Sequence, residues 1–170
     1  METCNHSKDV ICCDDLDQYA VYENQLYQLY LDLYINGGLS YNGNRIQMKY
    51  YPPEYNERTG FYHLICENYD HTGDENDRTP NLRRCEQITW ADEIIRNCAP
   101  SKCDEIKIWE NNRKGKKSLL IYCDDIRYLV VLGIRNGYYM LVSAYPVSYP
   151  SARRDLLKEY REYIKQTTLS

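Results

Sequence analysis

The chain has 170 residues, 43% of them hydrophobic, which is enough for one sizeable core and predicts a single domain. Its 21 basic and 25 acidic residues give a net charge of -4, which excludes recruitment of nucleic acid by a global positive field and leaves such contacts to a local basic patch. No run approaches the roughly 20 apolar residues of a membrane span, and Met1 to His6 lacks the regions of a signal peptide, so a cytoplasmic protein with no membrane partner is expected.

In that compartment the eight cysteines are expected as free thiols, with Cys66, Cys85 and Cys123 inside apolar patterns. His6, Cys12, Cys13, Cys98 and Cys103 can be imagined around zinc. No CxxC pair exists, however, so neither a metal nor a cofactor is expected. Nineteen tyrosines stand against one phenylalanine; coding bias accounts for that, and no function is drawn from it.

Residues 1–14 read as a disordered or frayed tail and residues 15–166 as the domain. Asp14 or Asp15 caps a first helix with Leu16, Tyr19, Leu26, Tyr30 and Leu33 at helical spacing and Ala20, Tyr27 and Tyr34 beside them. Asn36-Gly37-Gly38 ends it. Arg45 to Tyr51 alternates weakly before Pro52-Pro53, which forbids ladder pairing. Phe61 to Cys66 reads as a short buried strand carrying His63. The polar segment from Glu67 to Thr79 reads as a surface loop. Its even-spaced Asp70, Asp74 and Asn76 do not make a calcium site, because Glu75 replaces the required glycine and Asn81 the closing glutamate.

Thr79-Pro80 predicts the start of a second helix with Leu82, Cys85 and Ile88 inward, followed by a turn or two with Trp90, Ile94 and Ile95. From Glu105 to Val147 the periodicity and turn signals predict a four-stranded antiparallel meander. Its hairpins turn at Asn112 to Gly115, at Asp124-Asp125 and at Asn136-Gly137, and its two middle strands are apolar enough to be covered on both sides. Ser151 then caps a final helix with Leu156, Tyr160 and Ile164 on one face. Arg153 and Arg154 in its first turn either receive a phosphate with the backbone N–H groups or are simply solvated. The expected fold class is α+β: N-terminal helices packed on the four-stranded meander, then a C-terminal helix.

Period two along the last strand puts Tyr139, Leu141, Ser143 and Tyr145 on one face, about 7 Å apart. Two hydroxyls therefore project near the strand's end. Histidine as a residue type suits proton transfer near neutral pH, which makes His63 a candidate, although such a residue also serves as ordinary core. Arg113, Lys114, Lys116 and Lys117 make the densest basic cluster, either a solvated turn or a phosphate contact.

Four segments carry a resemblance: Phe61-Tyr62-His63-Leu64, Asn81 to Trp90, Ile108-Trp109-Glu110-Asn111 and Tyr138 to Pro146. Together they resemble phage-associated toxin-like nucleases of the barnase, EndoU, colicin and RelE-like (BECR) class, over roughly residues 60 to 163. The resemblance implies a metal-independent endoribonuclease in which the ribose 2′-hydroxyl attacks the adjacent phosphorus, so that RNA is the substrate and DNA is inert. It places His63, Ser143 and Tyr145 as catalytic candidates and Arg84, with Arg83 as alternate, on the phosphate. Lys117 joins them as an electrostatic candidate from its cluster. A cognate antitoxin or immunity protein is the expected partner besides RNA. The competing expectation is a non-catalytic phage or prophage interaction protein, an inhibitor or antidefence factor that keeps the nuclease fold; a third is a nucleic-acid-binding module without cleavage.

Overall fold

Asp15 opens the helical part of the chain by accepting the Asp17 N–H at 2.9 Å, which caps a single 3-10 turn, Leu16–Gln18. The computed structural model describes residues 8–49, 58–68, 78–100 and 103–170. The capped turn leads into helix α1 (Tyr19–Tyr30), which continues as a π turn, Leu31–Ile35. Tyr22, Leu26, Tyr27, Tyr30 and Tyr34 form the buried face, whereas Leu16 is 65% exposed. Residues 8–14, expected within a frayed tail, are tied to the body: Ile11 donates its N–H to the Glu86 carbonyl at 2.9 Å and accepts the Tyr22 hydroxyl at 2.7 Å. The Trp90 indole adds a hydrogen bond to the Asp9 carbonyl at 2.8 Å.

A hairpin follows, β1 (Ser40–Tyr41) and β2 (Asn44–Met48). The expected strand from Phe61 to Cys66 is a helix, α2 (Thr59–Ile65), and only Cys66–Asn68 (β3) is extended. Phe61, Leu64 and Ile65 are buried at helical spacing of three and four, and so short an apolar run fits either period when read alone. Strand β3 pairs antiparallel with β4 (Arg78–Pro80), so the expected loop carries strand at both ends; residues 69–77, with most of the rejected calcium loop, lie outside the described residues. Asn81, not Thr79, caps α3 (Leu82–Glu86) through the Arg84 N–H at 3.1 Å. Helix α4 (Trp90–Glu93) runs on into a second π turn, Ile94–Cys98.

Strands β5 (Ile106–Arg113), β6 (Lys116–Cys123), β7 (Tyr128–Ile134) and β8 (Tyr139–Pro146) run antiparallel in sequence order. Positive φ angles at Lys114 and Gly115 (54° and 76°) make the tight first hairpin, and Gly137 (82°) closes the last. The sheet is not the expected four-stranded meander, however. It is six-stranded and mixed, in the order β1-β2-β8-β7-β6-β5, because β2 pairs parallel with β8 from Ile46↔Tyr139 to Met48↔Leu141. A parallel partner brought from far along the chain leaves no local turn signal.

Alternation along the strands divides the core in two. Ile121, Val130, Leu132, Leu141 and Ala144 face α1, α2 and the helical segments around Trp90. Trp109, Leu120, Tyr122, Leu129 and Val147 face the other way, under helix α5 (Pro150–Thr168) with Leu156, Leu157, Tyr160 and Tyr163. The chain is thus α+β with the sheet between two helical layers. Pro150 occupies the first turn of α5 and Tyr149, not Ser151, precedes it as the cap residue. Ile164, expected on the inward face, is 41% exposed. No helix among the described residues is long and apolar enough to cross a membrane.

Candidate functional site

Strand β8 does not keep one face throughout. A bulge shifts the register between the pairs Val131↔Ser143 and Leu132↔Leu141, so Leu141 and Ala144, three residues apart, both point into the first core. Tyr139 and Leu141 therefore share the face of the N-terminal helices. Beyond the bulge, Ser143 and Tyr145 pair with Val131 and Leu129 and face α5. The expected four-residue stripe is split, while the Ser143 and Tyr145 pair stays on one side.

Tyr145 opens onto a cleft of about 510 Å³ where the end of β8, the first turn of α3 and the first half of α5 meet. Arg83, Arg84, Arg113, Glu67, Asp155 and Glu159 supply its charges. The Arg84 guanidinium lies over the Tyr145 ring, 5.1 Å from its centroid, a cation–π contact. Asn81 orients Arg84 by capping its helix, and its side-chain amide donates to Glu67 Oε1 at 2.9 Å. Arg84 Nη1 and Arg78 Nη2 both donate to the Cys66 carbonyl, at 3.0 and 2.8 Å. Burial lowers the Arg84 pKa, Glu67 works against that and Arg78 adds to it; an arginine nonetheless stays charged. Burial raises the Tyr145 pKa more than Arg84 and Arg113 lower it, so the phenol carries its proton at neutral pH.

The opposite wall comes from α5. Glu159 accepts Trp109 Nε1 at 2.8 Å, Asn111 Nδ2 at 2.9 Å and Arg113 Nη2 at 2.9 Å. Burial alone would raise its pKa, but these three donors hold it below the usual carboxylate value. Arg83 reaches Ser148 Oγ at 3.4 Å on the rim. Tyr149 lines the same rim, 75% exposed.

Of the six expected site residues, the cleft brings together Arg83, Arg84 and Tyr145. His63 does not line it. That residue is buried on α2, with Nδ1 3.3 Å from Arg78 Nη1, and is linked to the cleft through Arg78, the Cys66 carbonyl and Arg84. Ser143 is not among the lining residues either. Lys117 lies opposite Asn112 in the β5–β6 ladder, whereas Arg113 lies opposite Lys116 on the face shared with Trp109 and Asn111. Lys117 is thus on the far face of the sheet, and Arg113 is the member of that cluster that reaches the cleft. Counting by twos from the inward Trp109 would have selected it. Glu67 was hidden in a segment read as loop. Arg153 is held by Asp124 through two hydrogen bonds of 2.9 and 2.8 Å, which occupies its guanidinium with a carboxylate in place of a phosphate. All seven cysteines among the described residues are free thiols.

The fold is α+β, and at the end of strand β8 it holds a cleft lined by three arginines, two tyrosines and three carboxylates. Comparison with protein-family models, with curated proteins and with solved structures returns no match for this chain.

Proposed function

We propose that the cleft binds the phosphodiester backbone of RNA and cleaves it without a metal ion. The observation that carries this reading is the Arg84 guanidinium stacked on Tyr145 at 5.1 Å, in a cleft that Arg83 and Arg113 also line. Arginine forks fit phosphate oxygens and gain strength where water is partly excluded. Tyr145 holds a proton at neutral pH, which suits protonation of the departing 5′-oxygen. In this reading the base is a cleft carboxylate. Glu159 is committed to three donors that hold it well below neutrality and Asp155 is 75% exposed on the rim, so the base is assigned to Glu67, beside Arg84. In this reading Glu67 takes the 2′-hydroxyl proton, the new 2′-O–P bond forms as the P–O5′ bond breaks, and Tyr145 protonates the leaving oxygen. His63 acts behind Arg78 as a positioning residue.

The second reading is a non-catalytic interaction protein, an inhibitor or antidefence factor that retains a nuclease-like fold. Three carboxylates on the cleft wall favour it, because each repels phosphate. Purified protein incubated with single-stranded RNA in EDTA separates the two. Fragments ending in 2′,3′-cyclic phosphate are expected from wild type, none from DNA of the same sequence, and a loss of rate on the order of 100-fold with Arg84→Ala or Tyr145→Phe. Glu67→Gln, checked by thermal melting, is expected to remove the base and with it cleavage, whereas His63→Ala is expected to slow cleavage and keep its pH dependence; the reverse outcome would make His63 the base. Absence of cleavage of any RNA, by a protein that melts cooperatively, overturns the nuclease reading and leaves the interaction protein.

A further inference from the structure

We infer that Tyr149 is a stacking platform for a nucleobase of single-stranded RNA whose phosphate lies on Arg83 and Arg84; this rests on the phosphodiester reading of the cleft. Tyr149 is a large aromatic residue left 75% exposed, on the rim of a cleft whose cations are arginines. Its neighbours explain why it stands there. Val147 before it is buried in the core under α5, and Pro150 after it starts that helix. The backbone of Tyr149 is extended (φ -95°, ψ 132°), and its carbonyl accepts the Arg153 N–H at 3.1 Å. Its anchor is therefore rigid while its ring faces solvent.

Next to it, Ser148 accepts from Arg83, so the ring and the guanidinium sit on adjacent positions of one rim. A phosphate and the base of the same or the next nucleotide have this relation in an unpaired strand, and a duplex does not, since its bases are stacked on each other. Every base has a π-face, so the platform selects for a single strand without selecting a sequence. Arg83 itself is exposed and held on the rim by one long hydrogen bond of 3.4 Å to Ser148, whereas Arg84 is fixed by the Cys66 carbonyl and Tyr145. The inner guanidinium thus sets the register of the backbone, and Tyr149 with Arg83 sets where the adjoining base goes.

The experiment uses the full chain and a fluorescent 2′-O-methyl oligoribonucleotide, which resists cleavage, beside an abasic oligonucleotide of the same length and charge. Wild type is expected to bind the base-bearing strand more tightly than the abasic one. Tyr149→Ala should weaken the base-bearing strand by roughly 5- to 150-fold and leave the abasic strand unchanged, while Tyr149→Trp keeps full affinity. Equal binding of the base-bearing strand by wild type and Tyr149→Ala, with affinity lost in Arg84→Ala, overturns the platform and leaves the phosphodiester reading intact. Unchanged binding in Arg84→Ala overturns both.

Discussion

Trp109 donates its indole N–H to Glu159 at 2.8 Å, joining the middle of edge strand β5 to the middle of helix α5. Because Asn111 and Arg113 donate to the same carboxylate, three successive residues of the strand's inner face are fixed to one side chain. The contact builds a wall of the cleft as well as the packing of the helix.

Glu159 therefore couples stability to acid. Its pKa is depressed from an ordinary 4.5, so its contribution is complete above that value and is lost as the pH falls through the folded pKa. Glu159→Gln is expected to lower stability by about 1–3 kcal/mol at pH 7 and to flatten the loss of Tm below pH ~4.5. Thermal melts of both proteins from pH 3 to pH 7 measure it; parallel curves would show that the carboxylate contributes nothing.

Arg84 should be visible in the salt dependence of RNA binding. Replacing it with alanine is expected to reduce the slope of log affinity against log salt by about 1, the signature of one lost phosphate contact. Arg84→Lys keeps the slope but lowers affinity, since an ammonium neither stacks on Tyr145 as a plane nor donates as a fork. Fluorescence anisotropy at several salt concentrations tests both.

Gly60 reverses the usual helix rule. Alanine ordinarily stabilises a helix interior by up to about 1 kcal/mol relative to glycine. In α2 an added Cβ would meet the Tyr30 hydroxyl and the Lys49 carbonyl, one of them backbone that cannot swing aside. Gly60→Ala is expected to cost about 1–3 kcal/mol, a fall of several degrees in Tm by calorimetry.

Thiol chemistry should divide the cysteines by depth. Burial pushes the Cys66 thiol up to about 12 and the Cys85 thiol up to about 11, while Cys12 is exposed. With iodoacetamide at pH 8, Cys66 and Cys85 are expected to react at least about 100-fold more slowly than Cys12, because only the thiolate attacks. Peptide mass spectrometry over time follows each site, and comparable rates in the folded protein would contradict the packing around α2 and α3.

The parts of the site that were legible in the chain are those carried by a regular element with a clear period. Tyr145 falls on the inward face of the last strand, and Arg83 and Arg84 on a capped helix. His63 and Lys117 show where such reading stops. His63 lies in an apolar run too short to separate a period of two from one of 3.6, and the helix it belongs to buries it beside Arg78, outside the cleft lining. Lys117 stands in the densest basic cluster, yet one step along a strand changes the face, so Lys116 and not Lys117 lies opposite Arg113.

What the sequence by itself determined is the meander's four strands and two of its tight turns, because alternation and turn-forming residues act between near neighbours. Only the tertiary structure decided that β2 would join β8 in parallel, that the bulge would turn Ser143 and Tyr145 toward α5, and that Arg84 would cross from another helix onto Tyr145. Those are contacts between segments far apart in the chain, set by which faces bury together, and no local pattern encodes them.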